Sequence, residues 1–164
     1  MIAKTYIERN LRRLDAWHGK TSDTSLSFYY AKLAVLELCG WIEMSMDDMI
    51  MRHCGRHIRI PENYKFVEKD VVRRTYGFDY DRHFRQMLIK LIGVVQTESI
   101  ERRMDVGVLT RFEAELQSLK TIRDLLAHTY AKNPPPIDAP SRTRARFTPV
   151  YQGLRAYDNA LRAL

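Results

Sequence analysis

The run from Leu26 to Cys54 constrains this chain more than any other segment, because it sets apolar residues three and four apart on two sides at once. Leu26, Tyr30, Leu33, Leu36, Trp41 and Met44 fall on one side, and Phe28, Val35, Leu38, Ile42 and Met46 on another. Such spacing marks an α-helix, and a helix apolar most of the way round is expected to be central and well buried. Thr21-Ser22-Asp23-Thr24-Ser25 supplies N-cap residues ahead of it, and Gly55 and Pro61 are expected to close it. A chain organised round such an element has to be a helical bundle.

The remaining segments agree. Residues 2 to about 17 read as a first helix, with Tyr6, Leu11, Leu14 and Trp17 inward and Arg9, Arg12 and Arg13 outward. A shorter, more polar helix is expected over about 61–76, ended by Gly77. Another is expected over about 79–104, with Phe84, Met87, Leu88, Leu91 and Val95 inward. After Asp105 and Gly107 comes a helix with Leu109, Phe112, Leu116 and Leu119 on one face, stopped by Asn133-Pro134-Pro135-Pro136. Residues 132–147 read as a loop that turns basic at Arg142, Arg144 and Arg146, and Thr148-Pro149 is expected to cap a last helix. No strand-like alternation, repeat or linker interrupts the pattern, so the expectation is all-α: one domain over 1–164, a single bundle of five to six helices.

Composition narrows the functional classes. No stretch approaches the roughly 20 apolar residues that span a bilayer, and Met1-Ile2-Ala3-Lys4 lacks a signal-peptide core. Cys39 and Cys54 share one helical segment and would lie about 22 Å apart on a straight helix, too far to bridge. They read as reduced thiols, and a cytoplasmic protein with no membrane partner is expected. Twenty-seven basic residues against twenty acidic ones give a net charge of +7, which favours a polyanionic partner such as RNA over a membrane surface.

The apolar series of the 109–119 helix continues onto Arg123, Leu126 and Tyr130, so a guanidinium occupies a position that calls for an apolar side chain. Such a charge must be paired or face a wet cleft. It belongs to the octapeptide Arg123-Asp124-Leu125-Leu126-Ala127-His128-Thr129-Tyr130. Arg123 and Tyr130 lie almost on one line of the helix, Asp124 and His128 on a neighbouring line, and Arg123 and His128 diverge by about 140°. One helix therefore presents half a site, and two across a two-fold axis would complete it.

The residue types suit phosphodiester chemistry. Histidine moves protons near neutrality, arginine holds a phosphate bidentately and stabilises added charge, and an acid four residues before the histidine can set its tautomer. RNA supplies its own 2′-hydroxyl nucleophile, so neither metal nor cofactor is needed. Arg-polar-x3-His near the end of a long helix in a small all-α domain resembles the HEPN superfamily. Arg123 to His128 match that motif at every defined position, and Thr129-Tyr130 extend it to the Arg-x4-His-x-Tyr form. The resemblance implies a bundle that dimerises through its motif helices. It also implies a metal-independent endoribonuclease leaving 2′,3′-cyclic phosphate, at work in toxin–antitoxin or related defence systems. By the same resemblance Arg123 and His128 are the catalytic pair, Asp124 supports them, and Tyr130 matches a tyrosine adenylylated by a nucleotidyltransferase-type antitoxin.

Simpler readings stand beside these. Arg123 could serve as a structural ion pair with Glu37 or Glu43, in a non-catalytic HEPN-like module that binds RNA, a nucleotide or a protein partner. Arg142, Arg144 and Arg146 either grip an RNA backbone or are solvated loop residues. His53-Cys54-Gly55-Arg56-His57 has metal-like spacing, but Gly55 is expected to end the helix between the two histidines and no further ligand is near, so no metal is assigned. Met44, Met46, Met49 and Met51 read as core and interface filler.

Overall fold

The computed structural model describes residues 1–127 and 136–164 and consists, among these, of helices and connecting segments without strands. Six α-helices follow in order: α1 Thr5–His18, α2 Thr24–His57, α3 Pro61–Phe66, α4 Arg85–Arg103, α5 Val106–Ala127 and α6 Pro140–Arg162. Wider π-helical turns extend α3 over Val67–Val72 and precede α4 over Tyr80–Phe84.

α2 is the axis of the bundle, about 51 Å long at 1.5 Å per residue. It starts where the N-cap run indicates, because the Asp23 carboxylate accepts from the Ser25 and Leu26 amides at 2.7 and 3.1 Å and so satisfies two otherwise orphaned donors. Its inward face carries Leu38, Ile42, Met46, Met49 and Ile50, all essentially inaccessible. α1 packs on it through Ile7, Leu11 and Leu14, α5 through Phe112, Leu116 and Leu119, and α6 through Val150, Leu154, Tyr157 and Leu161.

α5 and α6 meet unusually closely. A Cβ on Gly153 would lie 2.3 Å from the Phe112 ring, so only glycine lets these backbones approach. Phe112, Phe84 and Tyr157 form an aromatic node beside it, with Phe84 edge-on to Tyr157 at 4.9 Å between centroids. The node's polar tips are satisfied internally: Tyr80 donates to Glu101 at 2.8 Å, the Tyr80 and Tyr157 hydroxyls lie 2.6 Å apart, and Arg85 holds Glu101 at 2.7 Å. Buried Asp158 accepts from Arg52 at 3.2 Å and pairs with Arg162 at 2.8 Å.

Several expectations are corrected. Only one side of α2 is buried: Leu26, Leu33 and Met44 are exposed, and Tyr30, Leu36 and Trp41 are partly covered by neighbours. Tyr6 and Trp17 likewise point outward from α1, where Ile7 takes the inward position instead. α2 runs through Gly55 to His57, since glycine weakens a helix without forbidding it. The expected 79–104 helix is broken at Gly93, whose φ of 81° is left-handed, and the break turns Val95 outward.

The largest correction concerns the loop expected over 132–147, whose residues 132–135 lie outside the described ones. From Pro140 onward the segment belongs to α6, with proline at its first turn, where the missing N–H costs nothing. Pro149 lies inside that helix rather than capping it. Proline there gives up one backbone hydrogen bond, a loss that burial of Phe147, Val150 and Leu154 on either side offsets.

Candidate functional site

α5 positions Arg123 on the seam with α2, one turn before the end of its described residues. Its guanidinium Nη1 lies 3.3 Å from Glu43 Oε1, and its Cζ stacks 5.4 Å from the centroid of Phe78, a fully buried ring. Asp124 Oδ1 is 2.8 Å from Arg123 Nε, but off the N–H direction, so this is a charge contact without a directed hydrogen bond. Arg123 keeps 27 % of its side chain exposed. The charge is therefore paired and also open to solvent, at a position where the helix repeat calls for a core residue.

Asp124 is held by Lys120 one turn earlier, at 3.3 Å. Partial burial works against its charge, but Lys120 and Arg123 outweigh it and keep the carboxyl below its ordinary range. It is ionised at neutral pH and attached to Arg123 and Lys120. His128 and Tyr130, with Thr129, lie outside the described residues.

α2 faces this corner with Cys39, Glu43 and Asp47, four residues apart on one line. Burial pushes the Cys39 thiol up to about 12, with Arg123 pulling the other way and Glu43 and Asp124 adding to the rise. It is a packed thiol rather than a nucleophile. Burial, reinforced by Glu43 and Asp48, raises the Asp47 carboxyl to about 6. The corner thus combines the Arg123 guanidinium, the acids Glu43 and Asp124 in contact with it, and the Asp47 carboxyl raised to about 6.

Of the two acids considered as partners for Arg123, Glu43 is the one engaged, while Glu37 accepts from Asn10 of α1 at 3.1 Å. Phe78 and Asp47 were not anticipated. Asp47 was discoverable as an acid four residues beyond Glu43 on an apolar helix, whereas Phe78 comes from a distant connection and left no local signal.

Arg142, Arg144 and Arg146 do not form one basic loop surface. Their alternation, in helical geometry, sends Arg144 to Asp15 of α1 at 2.8 Å and Arg146 to Glu115 and Ser118 of α5 at 2.7 and 2.9 Å. Arg142 remains exposed. The continuous α2 stacks His53 on His57 at 4.3 Å between centroids, and His53 Nδ1 lies 3.0 Å from the Leu161 carbonyl. Burial lowers the His53 pKa, favouring the neutral ring. Among the described residues no three histidine, cysteine or acidic side chains are grouped to hold a metal ion, and no helix is long and apolar enough to cross a membrane. Both cysteines are free and buried.

Comparison with protein-family models, with curated proteins and with solved structures gives no match.

Proposed function

We propose that this protein is a metal-independent endoribonuclease of the HEPN type, a toxin or defence effector whose cleft pairs Arg123 and His128 across a homodimer. The observation that supports it most is the setting of Arg123: a part-exposed guanidinium on the buried stripe of α5, within the Arg-x4-His sequence. In the proposed reaction the RNA 2′-oxygen bonds to phosphorus as the bond to the 5′-oxygen breaks. A proton leaves the 2′-hydroxyl and another reaches the departing oxygen, and His128 handles these transfers. Arg123 would exchange Glu43 for the phosphate and stabilise the charge that builds on it. Asp124, bound to Lys120 and Arg123, acts on the arginine of the pair. Arg142, exposed like Arg144 but not paired with an acid among the described residues, would contact the RNA backbone.

The purified protein is expected to cleave RNA in EDTA and leave cyclic phosphate ends, and Arg123→Ala and His128→Ala, both folded, are expected to abolish this. Retained cleavage in either variant rules the assignment out.

One observation favours a second reading. The contacts of Arg123 with Glu43 and Phe78 are also those of a structural tie in a non-catalytic module. That reading predicts binding without cleavage and marked destabilisation on removing Arg123. The nuclease reading predicts a loss under about 1 kcal/mol, because an ion pair still open to solvent contributes little to stability.

A further inference from the structure

The turn that leads toward α4 carries two aromatic residues, Tyr76 and Phe78, one outward and one inward. Phe78 is fully buried beneath Arg123, whose guanidinium carbon lies 5.4 Å from its centroid. Tyr76 is 83 % exposed, more than any other phenylalanine, tyrosine or tryptophan among the described residues. Two residues span at most about 7 Å of chain. An open phenol ring therefore borders the corner at which Arg123 meets solvent.

Other exposed aromatics lie on a neighbour. Tyr6 rests against Arg9, Trp17 against Tyr30 and Tyr29 against Phe28. Tyr76 makes no such contact among the described residues. Its backbone, in contrast, is fixed on both sides. The Thr75 amide and hydroxyl donate to the Val72 and Val71 carbonyls at 3.0 and 2.7 Å. The Asp79 amide donates to His83 Nδ1 at 3.1 Å, and the Asp79 carboxylate accepts from the Arg82 amide at 2.9 Å. Gly77 between them has a φ of 126°, and a Cβ there would lie 2.8 Å from the His83 ring. Only glycine suits both that backbone and that approach. The fold thus holds a flat, largely apolar ring out in water on an anchored turn.

We infer that Tyr76 is a stacking platform for an unpaired nucleobase of the RNA whose phosphate lies at Arg123. This rests on the RNA reading above, and it adds the residue that receives a base and the state of the strand there. A nucleobase suits the ring because every base has a flat π face, so stacking needs no particular sequence. The base has to be unpaired at that point, because stacking on a side chain requires it to leave its helix. The flanking charge fits a nucleic-acid strand. Arg73 and Arg74 directly precede the ring, both exposed, and each is paired with an acid on the preceding helical turns, Glu68 and Asp70. Surface ion pairs of this kind are weak, and arginine binds phosphate readily in their place.

Binding of a single strand to the full chain tests this. The strand carries 2′-O-methyl sugars, which block the 2′-oxygen, and 2-aminopurine at successive positions in turn. At one position, fluorescence is expected to be lower with wild type and Tyr76→Phe than with Tyr76→Ala. Tyr76→Ala should also weaken binding of the single strand roughly tenfold, the loss usual for one stacked base. Its salt dependence should stay the same, because no ionic contact is removed. Binding of the matching duplex, helical circular dichroism and the melting temperature should not change. Fluorescence indifferent to Tyr76→Ala at every position, or an equal loss for duplex and single strand, overturns the inference. A wild type that binds no strand overturns it too, and leaves the ring to a protein partner. Cleavage separates the platform from the functional reading. Stacking by a wild type that cuts no RNA keeps the platform and defeats the nuclease. Cleavage lost in Arg123→Ala, with binding and fluorescence unmoved by Tyr76→Ala, keeps the nuclease and defeats the platform.

Discussion

α5 has two contrasting ends. Near its start Phe112 packs against Gly153 and Tyr157 of α6 in a dry aromatic seam whose polar tips are all paired internally. Near its end Arg123 meets Glu43 of α2 in a seam that is charged, part-exposed and fringed by a second acid and a raised carboxyl. The first arrangement suits rigidity. The second gives up apolar burial at a core position to keep a guanidinium within reach of solvent. One helix therefore separates stability from the chemistry proposed above, and that separation can be tested from both ends.

The aromatic end should give the largest effects. Phe112→Ala is expected to cost about 3–5 kcal/mol in chemical denaturation, through lost burial and the cavity left behind. Gly153→Ala should cost about 1–3 kcal/mol, because the new methyl collides with the Phe112 ring and the helices must separate. If Gly153→Ala were neutral, the close α5–α6 approach would be wrong.

At the charged end Arg123→Ala should cost less than about 1 kcal/mol, in keeping with a part-exposed ion pair open to solvent. A loss as large as that of Gly153→Ala would erase the contrast and favour the structural reading. Asp47 sharpens the comparison with pH. Its folded carboxyl titrates near 6, against an ordinary value of 3.8. The folded state therefore binds the proton more tightly, and this group's contribution falls as pH rises from about 4 through about 6. Asp47→Asn should raise the melting temperature at pH 7 by about 2–4 °C, with the gain vanishing near pH 4. An equal gain at both values would separate Asp47 from the raised carboxyl described here.

The contrast also shows what the sequence makes legible. The helices announce themselves through local spacing, and Asp23 announces the start of α2 by its side-chain chemistry. Arg123 is visible because it breaks a period, and Glu43 because an acid on an apolar helix needs a partner. The inward face of α2 is not visible: both sides are apolar, and which one the bundle buries depends on where α1, α5 and α6 dock. The start of α6 is hidden in the sequence because the triple proline and the arginine alternation outweigh Pro140, a good first-turn residue. Gly93 in its left-handed conformation and Phe78 under Arg123 both depend on tertiary contacts that no local pattern carries.

The central claim is that the charged end of α5 exists for phosphodiester chemistry rather than for holding the fold together. Arg123→Lys tests it most directly, because lysine keeps the charge beside Glu43 but loses the bidentate geometry. Melting and cleavage of labelled RNA in EDTA, measured on the same preparation, should show an unchanged melting temperature and a loss of cleavage of at least about a hundredfold. Cleavage at the wild-type rate, or no cleavage by the wild type itself, would contradict the account.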